Sequence, residues 1–242
     1  MIDRTPKLAI RVEDLTKGFG GAPVLQDLNI SVSWGRILAI FGANGSGKTT
    51  FLKVLSTQYS PDKGKIWMAG IPRSEDPVSI RNIIGVVAHQ PMLYQDMSAA
   101  ENLLFFSRMF RIADPRKRVG EVTELLGIKS LLQRRVGNLS HGMQKRIAIA
   151  RALLHTPPIL LMDEPESGLD EESLYLVVKT LRDYVHQGRT VLMTTHNVDI
   201  GLDLASEVAV LSDGAFRYHG NREGIDTDKF RSTYLRRMEV GS

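Results

Sequence analysis

The 242-residue chain predicts an α/β fold: a mostly parallel sheet interrupted by an inserted helical segment. Three observations lead there. Short uninterrupted apolar runs at 37–41 and 159–162 read as central strands buried on both faces, as in parallel sheets. Segments of helical periodicity alternate with such runs, the pattern of strand–helix–strand units. Between about residues 98 and 154 strand signals cease, and apolar residues recur at helical spacing among charges. That stretch predicts the insertion.

Taken in order, residues 8–12 and 24–32 read as strands, the second with alternating apolar residues. Strand 37–41 leads into a helix from Lys48 to about Ser56, followed by a short strand at 65–69 and a buried one at 83–88. After the helical segment, Pro157 and Pro158 stop the last helix, because proline lacks the N–H and crowds the preceding turn. They launch strand 159–162. A helix over 171–187, a strand over 191–194 and a hairpin of 207–211 and 215–218 about Asp213-Gly214 complete the sheet. Residues 226–238 carry Phe230, Tyr234 and Met238 at helical spacing and predict a packed terminal helix. The sequence contains no internal repeat or low-complexity segment.

Hydrophobic residues at 43% and charged residues at 24% are the balance of a globular domain. No window reaches the ~18 consecutive apolar residues of a membrane helix, and the first residues lack a signal-peptide core, so a soluble, cytoplasmic chain is expected. With no cysteine, disulfides and thiolate chemistry are excluded. The net charge of +4 is scattered. Its densest run, Arg116-Lys117-Arg118, reads as a solvated loop, and no nucleic-acid partner is expected.

The stretch Gly42-Ala43-Asn44-Gly45-Ser46-Gly47-Lys48-Thr49-Thr50 buries almost nothing, so packing does not explain it. Its first eight residues fit G-x-x-x-x-G-K-[ST] between a strand and a helix, the context of a phosphate-binding loop. Glycines allow amide N–H groups to converge on an anion, and the helix start adds its own free N–H groups and dipole. Lys48 would reach the β- and γ-phosphates, and Thr49 would hold Mg²⁺ through its hydroxyl. A glycine-rich turn would match this pattern by accident on the order of one time in a hundred. Further on, strand 159–162 ends in Asp163-Glu164. Asp163, at the tip of a buried strand, suits Mg²⁺ bound through water. Glu164 suits the orientation or deprotonation of an attacking water.

The segment NLSHGMQKRIAIARALLHTPPILLMDEPESGLD, residues 138–170, resembles the ATP-binding subunits of ABC transporters, and the likeness covers nearly the whole chain. It implies a P-loop NTPase core with an N-terminal antiparallel β subdomain and an inserted α-helical subdomain. Residues 1–242 would form one ATP-binding domain, with 1–94 and 155–242 as the core lobe and 95–154 as the helical signature lobe. Leu139, Ser140, His141, Gly142 and Met143 match the signature, and Ser167 and Asp170 match the loop that couples two sites across a dimer. Phe19 matches an aromatic that stacks on adenine. Gln90 matches a glutamine that senses Mg²⁺ and water, and His196 a histidine that contacts the γ-phosphate. The signature departs from the commonest form: His141 replaces a glycine and Met143 a glutamine, so a ribose contact from that side chain is in doubt, since a thioether is a weak hydrogen-bonding group. After the signature, Met143, Ile147, Ala150 and Leu154 form an apolar stripe, with Lys145, Arg146 and Arg151 off it.

The resemblance also implies partners. Two ATP-binding subunits would meet head to tail, each ATP held between Lys48 of one copy and Ser140 of the other. Work would be done on a separate integral membrane subunit at the cytoplasmic face, docked near residues 90–94. The chain looks most similar to subunits of small exporters, among them the haem exporters of cytochrome c biogenesis. A soluble ATPase of translation or DNA repair is the rival class; such proteins carry paired cassettes or long coiled coils, and neither is found here.

Overall fold

The computed structural model describes residues 8–232. An antiparallel sheet is built from β1 (Leu8–Phe19), β2 (Ala22–Ser33), β4 (Lys63–Met68) and β5 (Ile71–Pro72), in the order β2-β1-β4-β5. The second sheet has the order β10-β9-β3-β8-β7-β6. Its strands are β3 (Ile37–Phe41), β6 (Ile84–Val87), β7 (Ile159–Asp163), β8 (Thr190–Thr195), β9 (Glu207–Ser212) and β10 (Ala215–Asn221). All pair in parallel except β10, which folds back on β9 as the expected hairpin.

The period of two along a strand divides the interior. Ile37, Ala39 and Phe41 of β3 join one core with Met162 of β7 and Met193 of β8. Leu38 and Ile40 point the other way, into a core shared with the antiparallel sheet and with α1 (Lys48–Leu55). The first core runs without a break into the helical segment, through Leu103, Val122 and Ile147. That segment comprises α3 (Ala99–Met109), α4 (Pro115–Leu125) and α5 (His141–Leu153). Each helix starts on a side-chain cap: Ser98 with Glu101 in a capping box, Asp114 before Pro115, and Ser140. The helix α6 (Glu171–His186) starts on Asp170 in the same way.

The structure departs from or adds to the sequence reading in three places. Arg116-Lys117-Arg118 lies in α4, not in a loop, and Arg118 donates to the carbonyls of Leu153 and Leu154 at 2.7 and 2.8 Å. Lys145 and Arg151 are buried, because α5 is enclosed on nearly every side. Two short helices, α2 (Pro77–Ile83) and α7 (Val198–Leu204), occupy stretches read as strand or left blank. Of the terminal segment, residues 227–232 are helical, and the Phe230 ring packs edge-on against Phe41 at 5.2 Å. Tyr234 and Met238 lie outside the described residues. No helix among those described is long and apolar enough to cross a membrane.

Candidate functional site

Parallel pairing sets the site. Phe41 lies level with Thr195, and Asp163 level with Thr194. The residues that follow β3, β7 and β8 therefore emerge together at one edge of the sheet, where ligands of open α/β sheets bind. They are the loop from Gly42, then Glu164, then His196. A cleft of about 710 Å³ opens there, lined by Asn44, Thr49, Gln90, Asp163, Glu164 and His196 among others.

The loop is shaped by its glycines. Gly47 has φ of +106°, and a Cβ there would come within 2.7 Å of Leu25. A Cβ on Gly42 would strike the Leu211 carbonyl at 2.4 Å and the Ser46 hydroxyl at 2.5 Å. Gly45, with φ of +79°, has open space beside it. No side chain caps α1, so its first amides face the loop. Ser46 Oγ is buried with no hydrogen-bond partner. Lys48 donates to the carbonyls of Gly42 at 2.7 Å and Ala43 at 3.0 Å. Burial draws its pKa below the ordinary lysine value, and the carboxylates of Glu164 and Asp163 oppose that fall.

Asp163 is nearly buried and held from two sides. Thr49 Oγ1 donates to its Oδ2 at 2.9 Å and Thr194 Oγ1 to its Oδ1 at 2.6 Å. Lys145 Nζ, with no solvent exposure, donates to its backbone carbonyl at 3.2 Å. Glu164 then takes a left-handed backbone with φ of +47°. For a non-glycine residue this stores roughly 1–2 kcal/mol. Its amide donates to the Thr194 carbonyl at 3.1 Å, which holds the turn in place. The kink brings Glu164 Oε1 to 3.2 Å from His196 Nδ1.

The segment 139–143 lies apart from this cleft. Ser140 caps α5 by accepting from the Met143 amide at 3.3 Å. A Cβ on Gly142 would meet the Gly168 carbonyl at 2.2 Å, and one on Gly168 would meet the His141 ring at 2.8 Å. Residues 139–143 and the 167–170 loop thus touch within one chain, which needs both glycines. Leu139 is buried, Met143 packs partly into the core, and Ser167 is half-buried. Asp170 accepts from the Ser173 amide at 2.9 Å; a bond from the Ser173 hydroxyl, together with the one from its amide, lowers the Asp170 pKa.

Phe19 ends β1, half exposed, with Tyr59 edge-on at 5.2 Å and Lys17 at 5.1 Å from its ring. It is not among the residues lining the cleft. Thr50 follows Thr49 within the first turn of α1. The sequence reading assigns no role to Thr194, Thr195 or Glu166, and places Lys145 and Arg151 only as charges off the apolar stripe of 143–154. Two adjacent threonines ending an apolar strand before His196 were the one visible signal.

The family model described as ABC transporter matches residues 25–167. The chain is 33% identical over 211 residues to Nod factor export ATP-binding protein I of Rhizobium meliloti (strain 1021), covering 86% of this chain and 63% of that protein. It is 31% identical over 204 residues to the ABC transporter ATP-binding protein NatA of Bacillus subtilis, covering 83% of each. Among solved structures, cbiO1 from Clostridium perfringens, described as part of the ABC transporter complex cbiONQ, superposes with a TM-score of 0.81 at 28% identity, covering 98% of both chains. A dimeric post-hydrolysis state of the ATP-binding cassette MJ0796, bound to ADP and Pi, gives 0.82 at 26% identity, covering 89% of this chain and 100% of that one.

Proposed function

This chain belongs to the ABC transporter family, and on that premise we propose that it is the ATP-hydrolysing subunit of an exporter, dimerising on ATP and driving a separate membrane subunit. One observation carries the reading. Three parallel strand ends bring the phosphate loop, Asp163, Glu164 and His196 around a single cleft. The amides of 42–49 and the Lys48 ammonium bind the phosphates, and Phe19 stacks on the adenine. Thr49 Oγ1 and Asp163 Oδ2, 2.9 Å apart, are hard oxygen donors that fit Mg²⁺, with Gln90 on the same cleft wall. When bound, the ion neutralises charge on the phosphate oxygens. Glu164 orients a water and takes its proton as the water oxygen bonds to the γ-phosphorus. The bond to the β–γ bridging oxygen breaks, and ADP and phosphate leave. His196 steadies the γ-phosphate beside Glu164.

Two copies supply a complete site. Residues 139–143 of one copy close over the nucleotide held by Lys48 of the other, and Ser167 and Asp170 couple the pair. ATP favours closure because the second copy grips the γ-phosphate, and hydrolysis removes that grip. Residues 1–94 and 155–242 act as the core lobe and 95–154 as the signature lobe. The exposed Met92, Tyr94 and Met109 beside the lobe junction form the docking face for the membrane subunit, at the cytoplasmic face of the membrane. The named relatives, for Nod factor export and NatA, support the transporter class; haem export for cytochrome c maturation is the finer reading and rests on the sequence resemblance alone.

Glu164→Gln tests it. The variant keeps the backbone turn and the hydrogen-bonding shape but removes the base. Steady-state ATPase should fall at least a hundredfold while ATP drives a stable dimer on size exclusion. Undiminished turnover would overturn the assignment of Glu164.

A further inference from the structure

Glu166 is a residue the hydrolytic scheme above does not use, yet it lies buried beneath it. A carboxylate there is costly to desolvate, and an apolar residue would fill the space without that penalty. Its contacts are specific. Thr195 Oγ1 donates to Glu166 Oε1. The same Thr195 oxygen accepts the Asn197 amide at 2.9 Å, and Asn197 Oδ1 accepts from the Ile200 amide at 3.1 Å to cap α7. The chain is therefore fixed on both sides of His196, whose own side chain is half exposed and lies 3.2 Å from Glu164. Behind this corner there is no slack: a Cβ on Gly201 would meet Thr195 Cγ2 at 2.8 Å. Lys145, fully buried on α5, is anchored on the Asp163 carbonyl and feels the charges of Asp163, Glu166 and Glu164. Burial pushes the Glu166 carboxyl up, the Thr195 hydroxyl opposes that rise, and Oε2 is buried with no hydrogen-bond partner.

We infer that Glu166 is a positioning residue for hydrolysis: through Thr195 it holds the 195–197 corner so that His196 stands beside Glu164. This rests on the hydrolytic reading of Glu164 and His196. It predicts a defect in the chemical step and not in nucleotide binding, because neither Glu166 nor Thr195 lines the cleft.

The test compares Glu166→Leu with Glu166→Gln, which keeps an acceptor for Thr195, and Thr195→Val with Thr195→Ser. Steady-state ATPase, equilibrium binding of a fluorescent ADP analogue and the thermal midpoint are read for each. Glu166→Leu and Thr195→Val should lower kcat about ten- to a hundredfold with KM for ATP and ADP affinity within about twofold. Glu166→Gln and Thr195→Ser should recover most of the rate. In a His196→Ala background, Glu166→Leu should remove nothing further from the residual rate. Parental kcat in Glu166→Leu, a loss confined to KM, or multiplicative losses with His196→Ala would each overturn the inference. If Glu166→Leu does not fold, the Thr195 pair decides alone by the same criteria. Glu164→Gln in the same assay separates the two levels: its retained turnover sinks the hydrolytic reading, whereas its inactivity beside a parental Glu166→Leu sinks only the positioning role.

Discussion

His155 is stacked face to face on Phe110, ring centroids 3.8 Å apart and planes within 8°, with Nε2 3.0 Å from the Ile84 carbonyl. His196, by contrast, is half exposed and stands beside a carboxylate at the site. Surroundings, not residue type, decide what each can do. Burial pushes His155 down to about 4, and nearby Arg118 adds to the fall against the bond to Ile84. In the unfolded chain it titrates near 6.5. Below that value the unfolded state binds the proton and the folded state does not, so stability is full above about pH 6.5 and is lost as pH falls toward 4. Urea unfolding at pH 4.5 and 6.5 should show this acid loss in the parent and a smaller one in His155→Phe, which keeps the stack but cannot titrate. An equal acid loss in both would remove His155 as its source.

At the scale of elements, Arg151 ties α5 to the strand leading to Gln90. Its guanidinium donates to the carbonyls of Val86 at 2.7 Å, Met92 at 2.6 Å and Pro91 at 3.2 Å, and lies over the Phe106 ring at 5.2 Å. Desolvation lowers its pKa to about 10, which still leaves it charged at neutral pH. Arg151→Met strands these carbonyls and should cost about 3 kcal/mol in chemical unfolding, with faster amide exchange over residues 86–94. Arg151→Lys should restore only part, since a point charge cannot span three acceptors. Unchanged exchange in that segment would show that the clamp does not hold it. Such a link was hidden in the sequence, because a charged residue on a periodic helix reads as a solvated face until the packing on every side is known. Strands 37–41 and 159–163 were legible from their apolar runs, and the phosphate loop and Asp163-Glu164 from chemistry local to a few residues. α2 and α7 were not, being seven residues each. Their caps, Asp76 and Asn197, signal a helix only once the flanking strands are placed. Lys145 reaches the Asp163 carbonyl, and Glu166 reaches Thr195, only through the packing of α5 and the strand ends, which no local pattern records.

For the whole molecule, the decisive geometry is that none of residues 139–143 lines the cleft that Lys48 and Asp163 define. Their close approaches run instead to the 167–170 loop of their own chain. If residues 139–143 grip the γ-phosphate, they must do so on another copy, and turnover becomes a property of the pair. At low protein concentration the rate per subunit should rise with concentration, and at concentrations that saturate the dimer two crippled variants should rescue each other. Lys48→Ala loses its own phosphate grip, and Ser140→Ala loses the hydroxyl it offers in trans, so each alone should be nearly inactive. A mixed dimer holds one intact composite site, with Lys48 from one copy and Ser140 from the other. Statistical mixing makes half the dimers heterodimeric with one good site in two, so the mixture should reach about a quarter of the parental rate. A mixture no more active than the sum of its parts, or a rate per subunit independent of concentration well below the dimer dissociation constant, would mean that each chain completes its own site.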